Sequence, residues 1–131
     1  MIDLYTWHTP NGRKVSIMLE EIEMPYEVHS INIAKDEQFQ PHFLKVSPNN
    51  RIPAIVDRDN NNFYLFESGA ILLYLAEKSG KLINTNNRYD YYRTLEWLMW
   101  QMGGVGPMFG QVHHFVKYNK GKSEYSETRY S

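Results

Sequence analysis

Glu67 and Ser68 form the segment of this sequence best suited to bind an anion. They precede a strongly apolar stretch that is predicted to be a helix, so Ser68 falls at a helix N-terminus. Backbone N–H groups at such a terminus favour an anion, and the serine hydroxyl adds a further hydrogen-bond donor. The alternative is that Ser68 only caps the helix, a role that contributes about 1 kcal/mol. Taken alone, these residues favour the capping role.

A metal site or a cysteine-based reaction is not expected. His113 and His114 are adjacent, so their side chains would point about 100° apart on a helix, and no third ligand follows at i+4. The 131 residues contain no cysteine, which excludes disulfide scaffolds, cysteine-based zinc sites, Fe–S clusters and a protein thiol nucleophile from them. The 14 basic and 15 acidic side chains leave a net charge of −1, which gives no general attraction to nucleic acid or anionic lipid.

The apolar pattern predicts which elements must position any site. It gives the order β-α-β-α-β-β-α over about the first 80 residues. The first helix has apolar residues at i, i+3, i+4 and i+7 from Val15, and Pro41 limits the second helix to about one turn on either side. The predicted strands are residues 2–7, 26–30, 52–57 and 63–66, and the predicted helices lie between residues 12 and 25, 35 and 44, and 70 and 78.

The composition changes after residue 80. Residues 81–88 are polar and rich in Asn, which predicts a linker. Residues 89–101 have an amphipathic pattern, residues 103–107 interrupt it with Gly and Pro, and helix is expected to resume over residues 108–118. We therefore predict a first domain over residues 1–80, a linker over residues 81–88 and part of a helical domain over residues 89–131.

Nothing at the N-terminus resembles a targeting segment. Met1-Ile2-Asp3-Leu4 lacks the basic region and long apolar run of a secretory signal. The longest apolar stretches, residues 69–76 and 95–102, are far shorter than the ~20 residues of a membrane span. We expect a soluble cytoplasmic protein.

Four segments carry a resemblance to a known family. Residues 47–57, Ser-Pro-Asn-Asn-Arg-Ile-Pro-Ala-Ile-Val-Asp, and residues 66–76, Phe-Glu-Ser-Gly-Ala-Ile-Leu-Leu-Tyr-Leu-Ala, resemble the glutathione transferase family. The turn Thr9-Pro10-Asn11-Gly12 and residues 100–108 are similar to the nu class of bacterial transferases and the related fungal nitrogen regulator. The resemblance implies an α/β thioredoxin-like N-terminal domain followed by the start of the family's all-α C-terminal domain. That second domain is incomplete here, because family members continue for several more helices.

The resemblance also implies a function. Nu-class members resemble glutathione-dependent disulfide-bond oxidoreductases, so glutathione is the expected cosubstrate and a small-molecule disulfide its partner. One alternative is a glutathione S-transferase that conjugates glutathione to electrophiles. Another is a non-catalytic, glutathione-binding regulator, and a third is an inactive remnant. The family pattern further implies a homodimer.

Thr9 and Asn11 are the catalytic residues that the resemblance implies. A hydroxyl, an amide and a helix N-terminus can each donate a hydrogen bond to sulfur. Together such donors lower the pKa of a thiol by about one or two units from about 8.5. The alternative is that these residues only form a turn. Tyr5 is a rival donor, which we interpret as packing against the sheet instead.

The resemblance places the parts of glutathione along the chain. The γ-glutamyl carboxylate is expected at Ser68 and its ammonium near Glu67. The Ile52-Pro53 bond is expected to be cis, so that the Ile52 backbone pairs with the cysteinyl backbone of glutathione. Gln38 is expected at the glycyl end. The implied glutathione-binding residues are Asn11, Gln38, Arg51, Ile52, Pro53, Glu67, Ser68 and Arg129, with no metal.

Overall fold

Four short strands in the first part of the chain form one mixed β-sheet. The computed structural model describes residues 1–131, and the strands are β1 (Ile2–Thr6), β2 (Tyr26–Ser30), β3 (Ala54–Asp57) and β4 (Phe63–Phe66). Their order in the sheet is β2-β1-β3-β4. β1 runs parallel to β2 and antiparallel to β3, and β4 runs antiparallel to β3. All four strands lie within their predicted ranges.

Two helices, α1 (Pro10–Glu21) and α3 (Ser68–Ser79), cover one face of this sheet. The predicted apolar stripe from Val15 is confirmed, since its four side chains are at most 8% exposed. They pack against β1, β3 and α3 in the main core. α3 ends at Gly80, whose φ of +67° is the left-handed conformation that glycine adopts without a steric penalty. The fully buried side chains from the sheet and α3 in this core are Leu4, Ile2, Ile55, Ile71 and Leu75.

Side chains on the opposite face of the sheet form a second, smaller core with the segment that follows β2. The single helix predicted over residues 35–44 is wrong in detail. Two 3₁₀ turns, Ile33–Lys35 and Glu37–Phe39, precede a one-turn helix α2 (Pro41–Leu44). Pro41 begins α2 rather than interrupting a helix, because its missing N–H does no harm at the first helical position. The buried members of this core are Ile31, Phe43, Val46, Ala54 and Val56.

Asp57 at the end of β3 ties the sheet to α3. Its side chain is fully buried, Lys78 Nζ lies 2.7 Å from Oδ2, and the Tyr74 hydroxyl donates to the same oxygen at 2.6 Å. The Asp59 backbone N–H donates to the other oxygen at 3.1 Å. Burial alone would raise the pKa of Asp57, but these hydrogen bonds outweigh it and hold the pKa below its usual value. The carboxylate therefore stays ionised inside the fold.

The chain divides into two compact units, a first unit (Met1–Asn86) and a second unit (Asn87–Ser131). The division falls inside the segment that was predicted as a linker. The second unit is helical: α4 (Arg88–Trp100) continues through a π-helical segment, Gln101–Val105, into α5 (Gly106–Val112). The predicted interruption at residues 103–107 is thus a change of helical hydrogen bonding. A further π-helical segment, His113–Tyr118, follows α5.

A last helix, α6 (Glu124–Tyr130), was not predicted. Ser123 is its N-cap, and its side-chain oxygen accepts a hydrogen bond from the Ser126 backbone N–H at 3.3 Å. The aromatic rings of Phe115 and Tyr130 stack with centroids 5.5 Å apart and hold α6 within the second unit. No helix of the chain combines the length and the apolar character needed to cross a membrane.

Candidate functional site

Three loops leave the sheet at the same end. Tyr5 on β1 pairs with Ala54 on β3, and Ala54 pairs with Phe66 on β4. β3 is antiparallel to both neighbours, so its first residue lies beside the last residues of β1 and β4. Three loops therefore meet at one end of the sheet: the one after β1, the one before β3 and the one after β4. These loops contain three of the sequence-predicted segments: residues 9–12, residues 51–53 and residues 67–68.

Thr9 and Asn11 lie at the start of α1. Thr9 is the N-cap residue, and its Oγ1 accepts a hydrogen bond from the Gly12 N–H at 3.1 Å. Capping uses the oxygen as an acceptor and leaves the hydroxyl proton able to donate elsewhere. Asn11 is exposed in the first turn. The capping role and a role in donating to a ligand are therefore compatible at Thr9.

Gly12 allows the first turn of α1 to lie directly against the end of β1. A Cβ at this position would lie 2.4 Å from both Thr6 Oγ1 and the Trp7 carbonyl oxygen. No side chain fits there unless the backbone moves, so the glycine sets the position of the turn that carries Thr9 and Asn11. The sequence pattern around Gly12 predicts only a turn, because the close approach depends on the packing of α1 against β1.

We expect Gly12→Ala to lower the free energy of unfolding by about 1–3 kcal/mol, the usual cost of overpacking. Thermal unfolding of the variant and the unchanged chain measures this difference. Gly110→Ala is the matched control, because that helical glycine has open space around its Cβ position and alanine favours a helix. A Gly12→Ala protein as stable as Gly110→Ala would contradict the close approach seen here.

The loop before β3 contains the Ile52-Pro53 peptide bond, which is cis. Pro53 is buried and Ile52 half-buried, and both precede Ala54, the first paired residue of β3. Ser47 holds this loop: it is fully buried, and its hydroxyl donates to the Arg51 carbonyl at 2.8 Å. The Arg51 side chain is exposed. Sequence reasoning did not find Ser47, although its place before a proline in a predicted turn was a signal.

Glu67 and Ser68 sit at the start of α3, with roles that differ from the capping interpretation. Glu67 occupies the N-cap position with φ +74°, and its side chain makes no capping hydrogen bond. Ser68 is the first helical residue and is buried, so of the two residues offered as the N-cap it is Glu67 that occupies that position. A non-glycine residue with positive φ outside a favoured region costs on the order of 1–3 kcal/mol and is typical of functional sites. The strained backbone fixes where the Glu67 side chain leaves the helix.

Lys14 on α1 reaches Ser68 and was not predicted. Its Nζ donates to Ser68 Oγ at 3.4 Å, although the two residues are 54 positions apart. Burial lowers the pKa of the Lys14 ammonium, and the carboxylate of Glu67 acts in the opposite direction. A cation, an anion and a buried hydroxyl therefore lie close together at the N-terminus of α3.

Gln38 and Arg129 lie in different units. Gln38 belongs to the Glu37–Phe39 turn that follows β2, and its Oε1 is buried with no hydrogen-bond partner in the protein. A buried acceptor without a donor is unfavourable by about 1–3 kcal/mol, so Gln38 has the capacity to accept one more hydrogen bond. Arg129 is exposed on α6 in the second unit, with its guanidinium 5.9 Å from the Tyr130 ring centroid.

Tyr5 packs inside the fold, as interpreted from the sequence. Its ring stacks on His29 with centroids 4.7 Å apart and lies 6.2 Å from the ring of Phe43. Burial raises the pKa of its hydroxyl. Tyr5 is therefore part of the second core rather than of the loops at the sheet end.

A cluster of charged groups lies on the strands away from those loops. Donor atoms of Asp3, Glu27 and His29 come within 4.8 Å of one another, a spacing that a metal ion could use. Arg58, however, bonds to both carboxylates, with its Nε 2.7 Å from Asp3 and its NH2 2.6 Å from Glu27. Chiefly through Arg58, the pKa of Asp3 is held below its usual value. The guanidinium already supplies the positive charge that a metal would bring.

The fold and the three loops define a class of protein. Residues 1–77 match the family described as glutathione S-transferase, N-terminal domain, so the chain belongs to the glutathione S-transferase family. The family and the thioredoxin-like fold implied by the sequence are confirmed.

Its relatives are more specific. The chain is 53% identical over 119 residues to the disulfide-bond oxidoreductase YfcG of Escherichia coli K12, a match that covers 88% of this chain and 55% of YfcG. It is 52% identical, with a TM-score of 0.92, to a glutathione transferase family member from Pseudomonas fluorescens Pf-5 solved with two glutathione bound, covering 98% of this chain and 59% of that one. A Pseudomonas putida glutathione transferase with one glutathione disulfide per subunit is 49% identical, with a TM-score of 0.88 and coverage of 98% and 58%. The chain thus spans little more than half the length of these proteins.

Proposed function

We propose that this chain carries the glutathione site of a glutathione-dependent disulfide-bond oxidoreductase. The observation that carries the proposal is the meeting of three loops at one sheet end, where hydrogen-bond donors, a backbone segment outside the ladder and a charged helix N-terminus lie together. The likeness to YfcG supports the reaction type, and the solved relatives with glutathione or glutathione disulfide support the ligand.

Each end of glutathione has a complementary group in the first unit. The γ-glutamyl carboxylate is assigned to Ser68 and the α3 N-terminus, and its ammonium to Glu67. The Ile52 backbone precedes the β3 ladder, so it can pair with the extended cysteinyl segment. The unpaired Gln38 Oε1 can accept the glycyl N–H, and the exposed Arg51 can serve the glycyl carboxylate. Arg129 belongs to the second unit, and its role stays a prediction from the family resemblance.

Thr9, Asn11 and the α1 N-terminus are assigned to the glutathione sulfur. A free thiol with a pKa of about 8.5 is only a few per cent ionised at neutral pH. Each unit by which hydrogen bonding lowers that pKa corresponds to about 1.4 kcal/mol. At pH 7 the first unit raises the thiolate fraction roughly eightfold and the second roughly threefold more, because the thiol is then mostly ionised. The protein thereby supplies the thiolate that attacks a disulfide, and it holds that thiolate in place.

The reaction runs between small-molecule sulfurs, because the 131 residues contain no cysteine. The bound thiolate attacks one sulfur of the substrate disulfide, a new S–S bond forms, and the other substrate sulfur leaves as a thiolate that takes a proton. A second glutathione thiolate attacks the glutathione sulfur of this mixed disulfide and releases the second substrate thiol. Two glutathione thiols are oxidised to glutathione disulfide, and one substrate disulfide is reduced to two thiols.

We extend the proposal to a homodimer in the cytoplasm. The support for a dimer is a set of large side chains on α4 that are more than half exposed, which is typical of a contact surface. Light scattering after size-exclusion chromatography measures the assembly, and fractionation of cells measures the location. The large exposed side chains of α4 are Tyr89, Tyr92, Trp97, Met99 and Trp100.

The proposed reaction is tested by following glutathione-dependent reduction of 2-hydroxyethyl disulfide, coupled to NADPH oxidation through glutathione reductase. We expect Thr9→Val combined with Asn11→Ala to lower turnover at pH 7 by at most about 25-fold, the ratio of the thiolate fractions for a change of two units in thiol pKa. The higher intrinsic nucleophilicity of a thiolate with a higher pKa reduces this loss to several-fold. The loss should shrink at pH 9, where the thiol ionises without help. Thr9→Ser, which keeps the hydroxyl, is the matched control.

Two results would overturn this proposal. One is turnover no faster than the uncatalysed exchange. The other is glutathione conjugation to 1-chloro-2,4-dinitrobenzene without any disulfide reduction, which would favour the conjugating transferase instead.

A further inference from the structure

Lys14 links the two helices that carry the proposed sulfur donors and the proposed γ-glutamyl site. It follows Asn11 by three residues on α1, so it lies nearly one turn further along the same face. From there its Nζ reaches the Ser68 hydroxyl at the start of α3, at 3.4 Å. The Lys14 side chain is half-buried, so water screens its charge less than it would at the open surface.

The charges around Ser68 need a cation if an amino-acid carboxylate is to bind there. Glu67 brings a full negative charge next to Ser68, and a ligand carboxylate would add a second one. A helix N-terminus contributes only about half a positive charge. The ligand's own ammonium balances Glu67, so the ligand carboxylate still lacks a full counter-charge. Lys14 is the cation that the structure places in contact with the Ser68 hydroxyl.

We propose that Lys14 is the cationic partner of the α-carboxylate of bound glutathione and acts together with Ser68, while Glu67 faces the ammonium. This inference rests on the proposed function and names a residue that sequence reasoning did not place in the site. The pair Lys14 and Glu67 then matches the zwitterionic γ-glutamyl end, and a ligand with only one of the two charges fits less well. A lysine suits this role because it acts as a compact point charge on a flexible stem.

A purely structural role for Lys14 is the competing explanation, since the same contact joins α1 to α3. The two roles differ in what they predict for a ligand without the α-carboxylate. A structural role would weaken binding of every glutathione analogue alike. If Lys14 binds the γ-glutamyl α-carboxylate, its removal would weaken the binding only of ligands that have this α-carboxylate.

The experiment measures, by titration calorimetry, the Kd of the 131-residue chain for glutathione and for 4-aminobutyryl-cysteinylglycine, which keeps the ammonium and lacks the α-carboxylate. We expect Lys14→Met to weaken glutathione binding roughly 10- to 100-fold, the usual effect of losing a charged hydrogen bond. Its affinity for the analogue should stay within about twofold of the unchanged chain. Lys14→Arg should restore most of the glutathione affinity.

Arg13→Met is the matched control, because it removes a positive charge from the exposed neighbouring position on the same helix. It should leave both affinities unchanged. If Lys14→Met does not fold, Lys14→Gln supports the same comparison.

Equal losses for both ligands, or no loss for glutathione, would overturn the assignment of Lys14. The proposed function would stand without the Lys14 assignment if the unchanged chain still binds glutathione and if Thr9 and Asn11 still govern turnover. If the unchanged chain does not bind glutathione at all, the proposed function and this inference are both wrong.

Discussion

Asp57→Asn should lower the free energy of unfolding by about 3 kcal/mol at pH 7. The carboxylate is fully buried and joins β3 to α3 through Tyr74 and Lys78. Removing one charge of a buried pair costs about 3–5 kcal/mol, because the other charge is left without its partner. Lys78 is 31% exposed and can turn partly toward water, so the low end of that range applies. Urea unfolding followed by circular dichroism measures the change.

The loss should also depend on pH. The pKa of Asp57 is lowered in the folded state, so its ionised form stabilises the fold above the unfolded pKa of about 3.9. This contribution disappears as the pH falls through the lower, folded-state pKa. The unchanged chain should therefore lose stability below about pH 4. Over the same range, the free energies of unfolding of the unchanged chain and of Asp57→Asn should move closer together.

Asp59→Asn is the control for both measurements. Asp59 is 66% exposed and pairs with the N-terminal ammonium, and exposed ion pairs of this kind contribute little. An Asp57→Asn protein that is no less stable than Asp59→Asn, or whose deficit does not change with pH, would show that the buried carboxylate is not what ties β3 to α3.

Ser68→Ala should weaken glutathione binding roughly 10- to 100-fold. The hydroxyl is assigned to the γ-glutamyl carboxylate, and a hydrogen bond to a charged group contributes about 1.5–3 kcal/mol. Ser68 is the first helical residue and not the cap, so alanine should be tolerated by α3. Stability and affinity should therefore separate, with a large change in Kd and a small change in Tm.

Ser79→Ala provides the comparison for Ser68→Ala on the same helix. The Ser79 hydroxyl bonds to the Ala76 carbonyl at 3.2 Å near the C-terminal end of α3, far along the helix from the proposed site. Calorimetric titration with glutathione should give the unchanged Kd for Ser79→Ala. Equal Kd values for Ser68→Ala and Ser79→Ala would remove Ser68 from the glutathione site.

The periodic elements of the fold could be predicted because local patterns specify them. The stripe from Val15 identified α1, and four apolar segments identified the strands within two residues of their ends. Residues 33–44 were harder because short 3₁₀ turns have little apolar periodicity. α6 was missed because its polar residues carry no strong apolar stripe, although Ser123 was a usable N-cap signal.

The candidate site was predicted in part, and the missing part consists of contacts between distant segments. The loops around Thr9, Pro53 and Glu67 were predicted from the family resemblance, and the strand order of the structure brings them to one end of the sheet. Lys14 could not be found, because its contact with Ser68 depends on how α1 packs beside α3 and not on any local motif. Ser68 becomes the first helical residue because Glu67 before it has a positive φ, and a positive φ at a glutamate cannot be predicted from the residue type.

The central claim is that glutathione binds to this chain at the sheet end where the three loops meet. Titrating the ¹⁵N-labelled 131-residue chain with glutathione, followed by amide chemical shifts, tests it directly. We expect saturable shifts that are largest at residues 9–12, at Ile52 and at residues 67–69, with little change at Asp3, Glu27 and Arg58. No saturable shift, or shifts centred on the Asp3, Glu27 and Arg58 cluster, would contradict the account.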